Sequence, residues 1–254
     1  MRSRVPLPSV EGMNNPTALI TGASRGLGRA LAAGLAREGF DLIIDARDAA
    51  ALDAAAGALR PAGPAAQRPG SRAVTAIPGD VTDPLHRSAL VAAAGDRLDL
   101  LVNNAGTLGA SPLPALADYP VDELRATFEA NVIAPVALTQ LALPLLRASG
   151  GAVLNITSDA AVEAYAGWGG YGAAKAALEQ ASNVLAAEEL AVRVWWADPG
   201  DLRTDMHQAA FPGEDISDRA EPASVVPAFL ELIESERPSG RYRAAELAPT
   251  GAVA

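Results

Sequence analysis

Short, mostly apolar runs recur along the chain at 18–20, 42–44, 74–77, 100–102, 153–156 and 192–197, and 241–243 is a candidate seventh. Between them lie alanine-rich stretches that read as helices: from the glycine-rich turn after the first run to about residue 38, then 49–60, 122–147 and 171–190. A strand solvated on one face alternates apolar and polar residues. A strand covered on both faces reads as a continuous apolar run. Alternating strand and helix then leaves one economical architecture, a doubly wound parallel sheet of about seven strands with helices on both faces. Pro135 and Pro144 fall inside the 122–147 stretch and should kink or end that helix locally. The Pro/Gly/Ala-rich stretch 61–70 reads as a mobile loop. No internal repeat and no second boundary stand out, so 17–254 reads as a single domain preceded by a disordered tail, 1–16.

Composition removes several classes of function. The 254 residues carry 20 Lys+Arg against 30 Asp+Glu, a net charge of -10, which argues against nucleic-acid or anionic-membrane partners. There is no cysteine, so disulfides, thiolate catalysis and iron–sulfur or cysteine–zinc sites are excluded. The two histidines, His86 and His207, have no ligand spacing, and no metal site is expected. No stretch reads as membrane-spanning, and the start lacks the apolar core of a secretory signal, so the expected compartment is the cytoplasm. Met13 stands as an alternative start to Met1. Lys175 is the sole lysine in a chain that otherwise uses arginine. A position that keeps a compact ammonium in such a background invites a reason.

In a doubly wound sheet, ligands bind beyond the carboxyl ends of the strands, and the polar signals fall there. After the first run comes Thr21-Gly22-Ala23-Ser24-Arg25-Gly26-Leu27-Gly28, then a helix. Glycines in such a turn let the backbone approach a diphosphate, and the helix N-terminus offers N–H groups and a positive dipole end. An ordinary tight turn would use the same residues, so the later strand ends decide. They carry Gly79-Asp80-Val81, Asn103-Asn104-Ala105-Gly106, Thr157-Ser158 and Pro199-Gly200-Asp201-Leu202-Arg203-Thr204-Asp205-Met206. Asn131 lies within the long helical stretch. Tyr171 and Lys175 stand four residues apart on one helical face, with Ser158 13 residues before Tyr171.

The Gly-x-x-x-Gly-x-Gly spacing, and the order of the motifs after it, resemble the classical short-chain dehydrogenase/reductase family over nearly the whole chain from Thr17. That resemblance implies a nicotinamide dinucleotide held by Gly22, Ser24, Arg25, Gly26, Leu27, Gly28, Asp80, Val81, Asn104, Ala105, Gly106, Pro199, Gly200, Leu202 and Thr204. It also implies a catalytic set of Asn131, Ser158, Tyr171 and Lys175. The activity implied is reduction of a small-molecule ketone or oxidation of the matching secondary alcohol by hydride transfer. A free phenol titrates near ~10 and is a poor base at neutral pH. A neighbouring ammonium favours the phenolate, and the oxidised nicotinamide ring adds positive charge, which makes Tyr171 beside Lys175 a usable general acid/base. Ser158 would hydrogen-bond the substrate oxygen, Lys175 would also hold ribose hydroxyls, and Asn131 would hold a relay water.

For the adenosine end, counting from Gly28 puts Ala46 where NAD-preferring members carry an acid and Arg47 where NADP-preferring members carry a base. Arg25 can share a 2′-phosphate. NADP(H) is favoured, NAD(H) remains possible, and Asp45 is the alternative ribose ligand. The substrate is bounded by Asp159, Glu163, Tyr165, Trp168, Asp201, His207 and Phe211. Asp159 and Asp201 depart from the family's small or apolar choices. They either bind a polar or cationic group, or are solvated or paired to Arg203. Trp195 and Trp196 should face opposite sides of the sheet and fill core. The resemblance also implies a homodimer or homotetramer through the 122–147 and 171–190 helices. A dinucleotide-binding regulator or scaffold of the same fold is the competing class. Such a protein would typically have lost Tyr, Lys or Ser, and this chain keeps all three.

Overall fold

Seven parallel strands form one sheet: β1 (Thr17–Ile20), β2 (Asp41–Ala46), β3 (Val74–Pro78), β4 (Leu100–Asn103), β5 (Ala152–Ile156), β6 (Arg193–Asp198) and β7 (Gly240–Arg243), in the order β3-β2-β1-β4-β5-β6-β7. The structure, a computed structural model, describes residues 15–60, 72–235 and 237–247. The expected loop 61–70 lies outside the described residues, as does the expected tail up to residue 14. Asn15 and Pro16 are tied down: Asn15 Nδ2 donates to Asp41 Oδ1 at 3.1 Å, and the Asp41 amide donates to the Pro16 carbonyl at 2.8 Å.

The continuous apolar runs are used on both faces. Ala18, Ile20, Leu42, Ile44, Leu154 and Trp195 pack into one core layer with Leu31, Leu35, Leu52, Phe229 and Leu232. Leu19, Ile43, Leu101, Val153 and Val194 point the other way, onto Leu90, Leu138, Ala142 and Leu146. Trp195 and Trp196 are both buried, on successive positions of β6. The first layer is covered by α1 (Gly26–Arg37), α2 (Ala49–Leu59), α8 (Val226–Glu234) and α9 (Ala244–Leu247). The second is covered by α3 (Pro84–Ala92), α5 (Ala134–Ser149) and α6 (Gly169–Glu188). A short α7 (Asp205–Ala210) follows β6.

The single helix expected over 122–147 is divided. It consists of α4 (Val121–Phe128), a π-helical turn (Glu129–Ile133) and α5. Two residues account for the break. Pro135 has no N–H to give the Asn131 carbonyl four residues earlier. The Asn131 side chain itself takes the Thr127 carbonyl at 2.9 Å. A side chain inserted into the ladder widens the turn, and such turns concentrate at functional sites. Pro144, by contrast, sits inside α5 without ending it. The whole run Val121–Ser149 is long and apolar enough by composition to cross a membrane, which corrects the expectation that no segment is. Its apolar face, Leu138, Ala142, Leu143 and Leu146, is spent on the sheet.

Strand order reverses between β1 and β4, and Thr21 closes the gap there. Its hydroxyl donates to the Val102 carbonyl (3.3 Å) and accepts from the amides of Asn104 and Ala105 (3.0 Å each). Thr21 is 2% exposed, and its bonds to the two amides are half-buried. Thr21→Val keeps the shape and removes all three bonds. We expect it to lower stability by about 1–3 kcal/mol in urea unfolding, from two half-buried donors that lose their partner. A loss below about 0.5 kcal/mol would show that Thr21 is only packing.

Candidate active site

The glycine turn forms a cradle against the end of β4. Gly22 has φ of 67°, and a Cβ there would lie 2.9 Å from Ala105 Cα, so only glycine fits without a shift. Asn104 locks the turn by donating from Nδ2 to the carbonyls of Thr21 (2.8 Å) and Gly22 (3.1 Å). A Cβ on Gly28 would collide with the Gly22 carbonyl and with Asn104 Nδ2. The first turn of α1 is left without a side-chain cap at Arg25, so its N–H groups are available to an anion. Across the cleft, a Cβ on Gly26 would meet Thr204 Cγ2 at 3.5 Å. Thr204 caps α7, accepting from the His207 amide at 3.2 Å. The exposed Arg25 is ion-paired with Asp205 at 2.7 Å, spanning the cleft.

At the end of β2, Asp45 is 1% exposed and faces inward. Its Oδ1 accepts from the Gly22 amide at 2.7 Å, and its Oδ2 pairs with His86 Nε2 at 3.0 Å. Burial pushes this carboxyl above its ordinary value against the pull of His86 and Gly22. Both oxygens therefore already have partners, Oδ1 in the glycine turn and Oδ2 in His86. Ala46 is buried and Arg47 exposed at the strand end. Partial burial pushes the Asp80 carboxyl up. The two hydrogen bonds from Thr82 and the nearby Arg47 guanidinium more than offset that, leaving it below its usual value. Arg47, Asp80 and Val81 therefore share one corner.

The catalytic candidates converge beside this cradle. Tyr171 and Lys175 lie on α6 at 8% and 4% exposure, with Lys175 Nζ 5.5 Å from the phenol ring centroid. Lys175 Nζ donates to the Ile156 carbonyl at 2.8 Å, at the end of β5 and two residues before Ser158. Burial lowers this lysine to about 8. A Cβ on Gly106 would press on Asn131 Oδ1 and come within 3.9 Å of Lys175 Nζ, so both polar groups face that glycine. The Asn131 amide protons are both spent, on the Thr107 and Thr127 carbonyls, and Oδ1 accepts from the Thr107 amide at 3.2 Å.

Among the chain's own groups, burial pushes Tyr171 well above its ordinary value, and the charges of Asp198 and Asp159 add to that. The Ser158 hydroxyl pulls the other way but does not prevail. Lys175 alone does not make Tyr171 a ready base; the chain by itself keeps the proton on the phenol.

Two residues that the sequence does not single out, Arg241 and Glu179, also support the site. Arg241 on β7 donates to Glu179 Oε1 (2.9 Å) and to the Ser158 carbonyl (3.2 Å), and the Thr157 hydroxyl donates to the same Glu179 oxygen (2.8 Å). This half-buried knot fixes the backbone at Ser158. Trp168 and Phe211 pack at 6.1 Å, Trp168 meets Tyr171 edge-on at 5.8 Å, and His207 lies 5.0 Å from Phe211, giving the site an aromatic wall. Arg203 pairs with Glu221, not with Asp159 or Asp201. Asp201 lies 3.8–3.9 Å from Arg219 and His207.

A family model described as short chain dehydrogenase matches residues 16–215. The sepiapterin reductase of Meriones unguiculatus is 37% identical over 211 residues, covering 78% of this chain and 79% of that protein. The oxidoreductase YciK of Escherichia coli (strain K12) is 30% identical over 237 residues, 92% of each. A short chain dehydrogenase of Shigella flexneri 2a strain 301, solved complexed with NADP, superposes with a TM-score of 0.81 at 31% identity, covering 92% of this chain and 98% of that one. With the sheet order, the glycine cradle and these relatives together, the chain belongs to the short-chain dehydrogenase/reductase family of oxidoreductase enzymes.

Proposed function

We propose that the chain reduces a small-molecule ketone with NADPH, and runs the reverse oxidation of the secondary alcohol, with Tyr171 as the proton-transferring group. The carrying observation is the buried cluster of Tyr171, Lys175 and Ser158 beside a cradle that admits only glycine at Gly22 and Gly28. The cradle suits a diphosphate: an uncapped helix start faces it, and backbone closes it on one side. Bound there, a nicotinamide dinucleotide supplies the hydride. The chain supplies the proton. A phenol held protonated by burial is set to donate as negative charge develops on the substrate oxygen. Ser158 would give that oxygen a hydrogen bond, and the aromatic wall of Trp168 and Phe211 would exclude water. Lys175, with an ammonium that titrates at about 8, is charged at neutral pH and would orient ribose hydroxyls while favouring loss of the phenolic proton. A relay water at Asn131 would use the remaining lone pair of Oδ1.

NADPH is preferred in this reading because Arg47 stands exposed at the 2′ corner, while Ala46 offers no acid and Asp45 is turned inward. The Shigella flexneri relative complexed with NADP is consistent with that choice.

Tyr171→Phe keeps the ring against Trp168 and removes its phenolic proton. Turnover of NADPH with an activated ketone should fall by roughly 10²–10⁴, with NADPH affinity nearly unchanged. Retained turnover would exclude Tyr171 as the proton donor. Lys175→Arg keeps the charge but not the compact shape and should lose most activity too.

Arg47→Ala should weaken NADPH binding by roughly tenfold to a hundredfold, the loss of one charge-assisted contact, and leave NADH nearly untouched. Equal loss for the two cofactors, measured by fluorescence titration, would reverse the preference.

A further inference from the structure

Asp159 follows Ser158 directly, and its carboxylate is used at both ends. Ser158 Oγ donates to Asp159 Oδ1 at 3.0 Å, and the Tyr165 hydroxyl donates to Asp159 Oδ2 at 3.0 Å. Ser158 Oγ also accepts from the Ala160 amide at 3.2 Å. A hydroxyl has one proton. In this arrangement the Ser158 proton is directed at the Asp159 carboxylate, which competes for it with the Tyr171 oxygen that the same hydroxyl pulls down. An oxygen that needs that proton must take it from Asp159.

We propose that Asp159 is a positioning residue for the reaction, one that holds the Ser158 proton and the Tyr165 hydroxyl in place and sets its negative charge against Tyr171. This rests on Tyr171 being the proton-transferring group, and it adds a control on that group which the four-residue catalytic set lacks. Tyr165 is pinned by the same carboxylate, so one side chain orders both the hydrogen-bond donor and part of the substrate wall.

The charged surroundings of Tyr171 come from several elements. Lys175 faces it from its own helix, Asp159 from the turn after β5, and Asp198 from the end of β6. Asp198 in turn feels Arg241 and Arg243 from β7 as well as Asp159. Glu163 and Asp201 act on Tyr165, the outer partner, together with Asp159. His207 and Arg219 sit by Asp201 at the rim. Of the acids on this side, Asp159 is the one that touches Ser158 and also acts on Tyr171. Neutralising it should therefore ease ionisation of the phenol, while neutralising Glu163 should not.

The experiment is a tyrosinate absorbance titration of the full-length protein saturated with NADP⁺, with the curve of Tyr171→Phe subtracted to isolate one of the four tyrosines. Asp159→Asn should move the Tyr171 midpoint down by about 0.5–1 pH unit, and Asp159→Ala should move it the same way. Glu163→Gln, an exposed charge on the same segment, should leave it within about 0.2 unit. Using two Asp159 variants with thermal midpoints recorded guards against a fold defect in either. A midpoint unmoved in both Asp159 variants, an equal move in Glu163→Gln, or a phenol protonated throughout in every variant would overturn the proposal. The titration needs no turnover, so it separates this inference from the catalytic reading. Tyr171→Phe can abolish activity while Asp159 proves silent, and the converse is equally visible.

Discussion

The reversal of strand order between β1 and β4 is the constraint from which the site follows. Chain leaving β1 and chain leaving β4 diverge there, and their backbone groups need partners other than a neighbouring strand. Thr21 and Asn104 supply those partners, and their bonds fix how closely the glycine turn lies against Ala105. Asp45 and His86 brace the same turn from β2 and α3. The crevice is thus shaped by the buried Thr21, Asp45 and His86 and the half-buried Asn104, and Arg25 and Arg47 project from its rim.

Beside that crevice the fold buries an ammonium. Lys175 is 4% exposed, and burial lowers it to about 8 from an ordinary lysine value of 10.5. Lowering a base in the folded state penalises folding wherever the unfolded chain holds the extra proton. The penalty is absent above the ordinary lysine value, grows as pH falls through the interval to about 8, and is full below it. At neutral pH it is on the order of 3 kcal/mol. The fold tolerates that cost at the position where a cation beside Tyr171 has chemical use. The solitary lysine of an arginine-rich chain is then intelligible, because a compact ammonium reaches the Ile156 carbonyl there and a planar guanidinium has a different shape and donor geometry.

Much of this was legible in the residues. Continuous apolar runs gave the strands and both core layers, because burial on two faces leaves no room for alternation. The spacing of Tyr171 and Lys175 placed them on one helical turn. What escaped notice depended on contacts across long stretches of sequence. That both oxygens of Asp45, the alternative ribose ligand, already have partners depends on Gly22 and on His86, 41 residues on. Arg241 lies 83 residues from Ser158, and nothing local in Arg241-Tyr242-Arg243 announces the contact. The phenol's proton affinity depends on how deeply α6 sinks, and spacing alone reported only the neighbouring cation. Two local signals are also legible in the chain. Asp83-Pro84 is a good helix start, and it opens α3 with the Asp83 side chain accepting from the Leu85 amide at 2.9 Å. Asn131 four residues before Pro135 marks the break that the structure shows as a π turn.

The account centres on a buried, depressed ammonium behind the phenol, and a chain with one lysine lets that be observed directly. Selective ¹³C labelling of lysine gives a single ε-carbon resonance, whose shift with pH reports Lys175 alone. The account predicts a midpoint of about 8 in the cofactor-free protein, with the resonance well removed from that of an exposed lysine. A midpoint near ~10.4, the value of a lysine in water, would contradict it, because Lys175 would then be solvated and could not act from behind Tyr171.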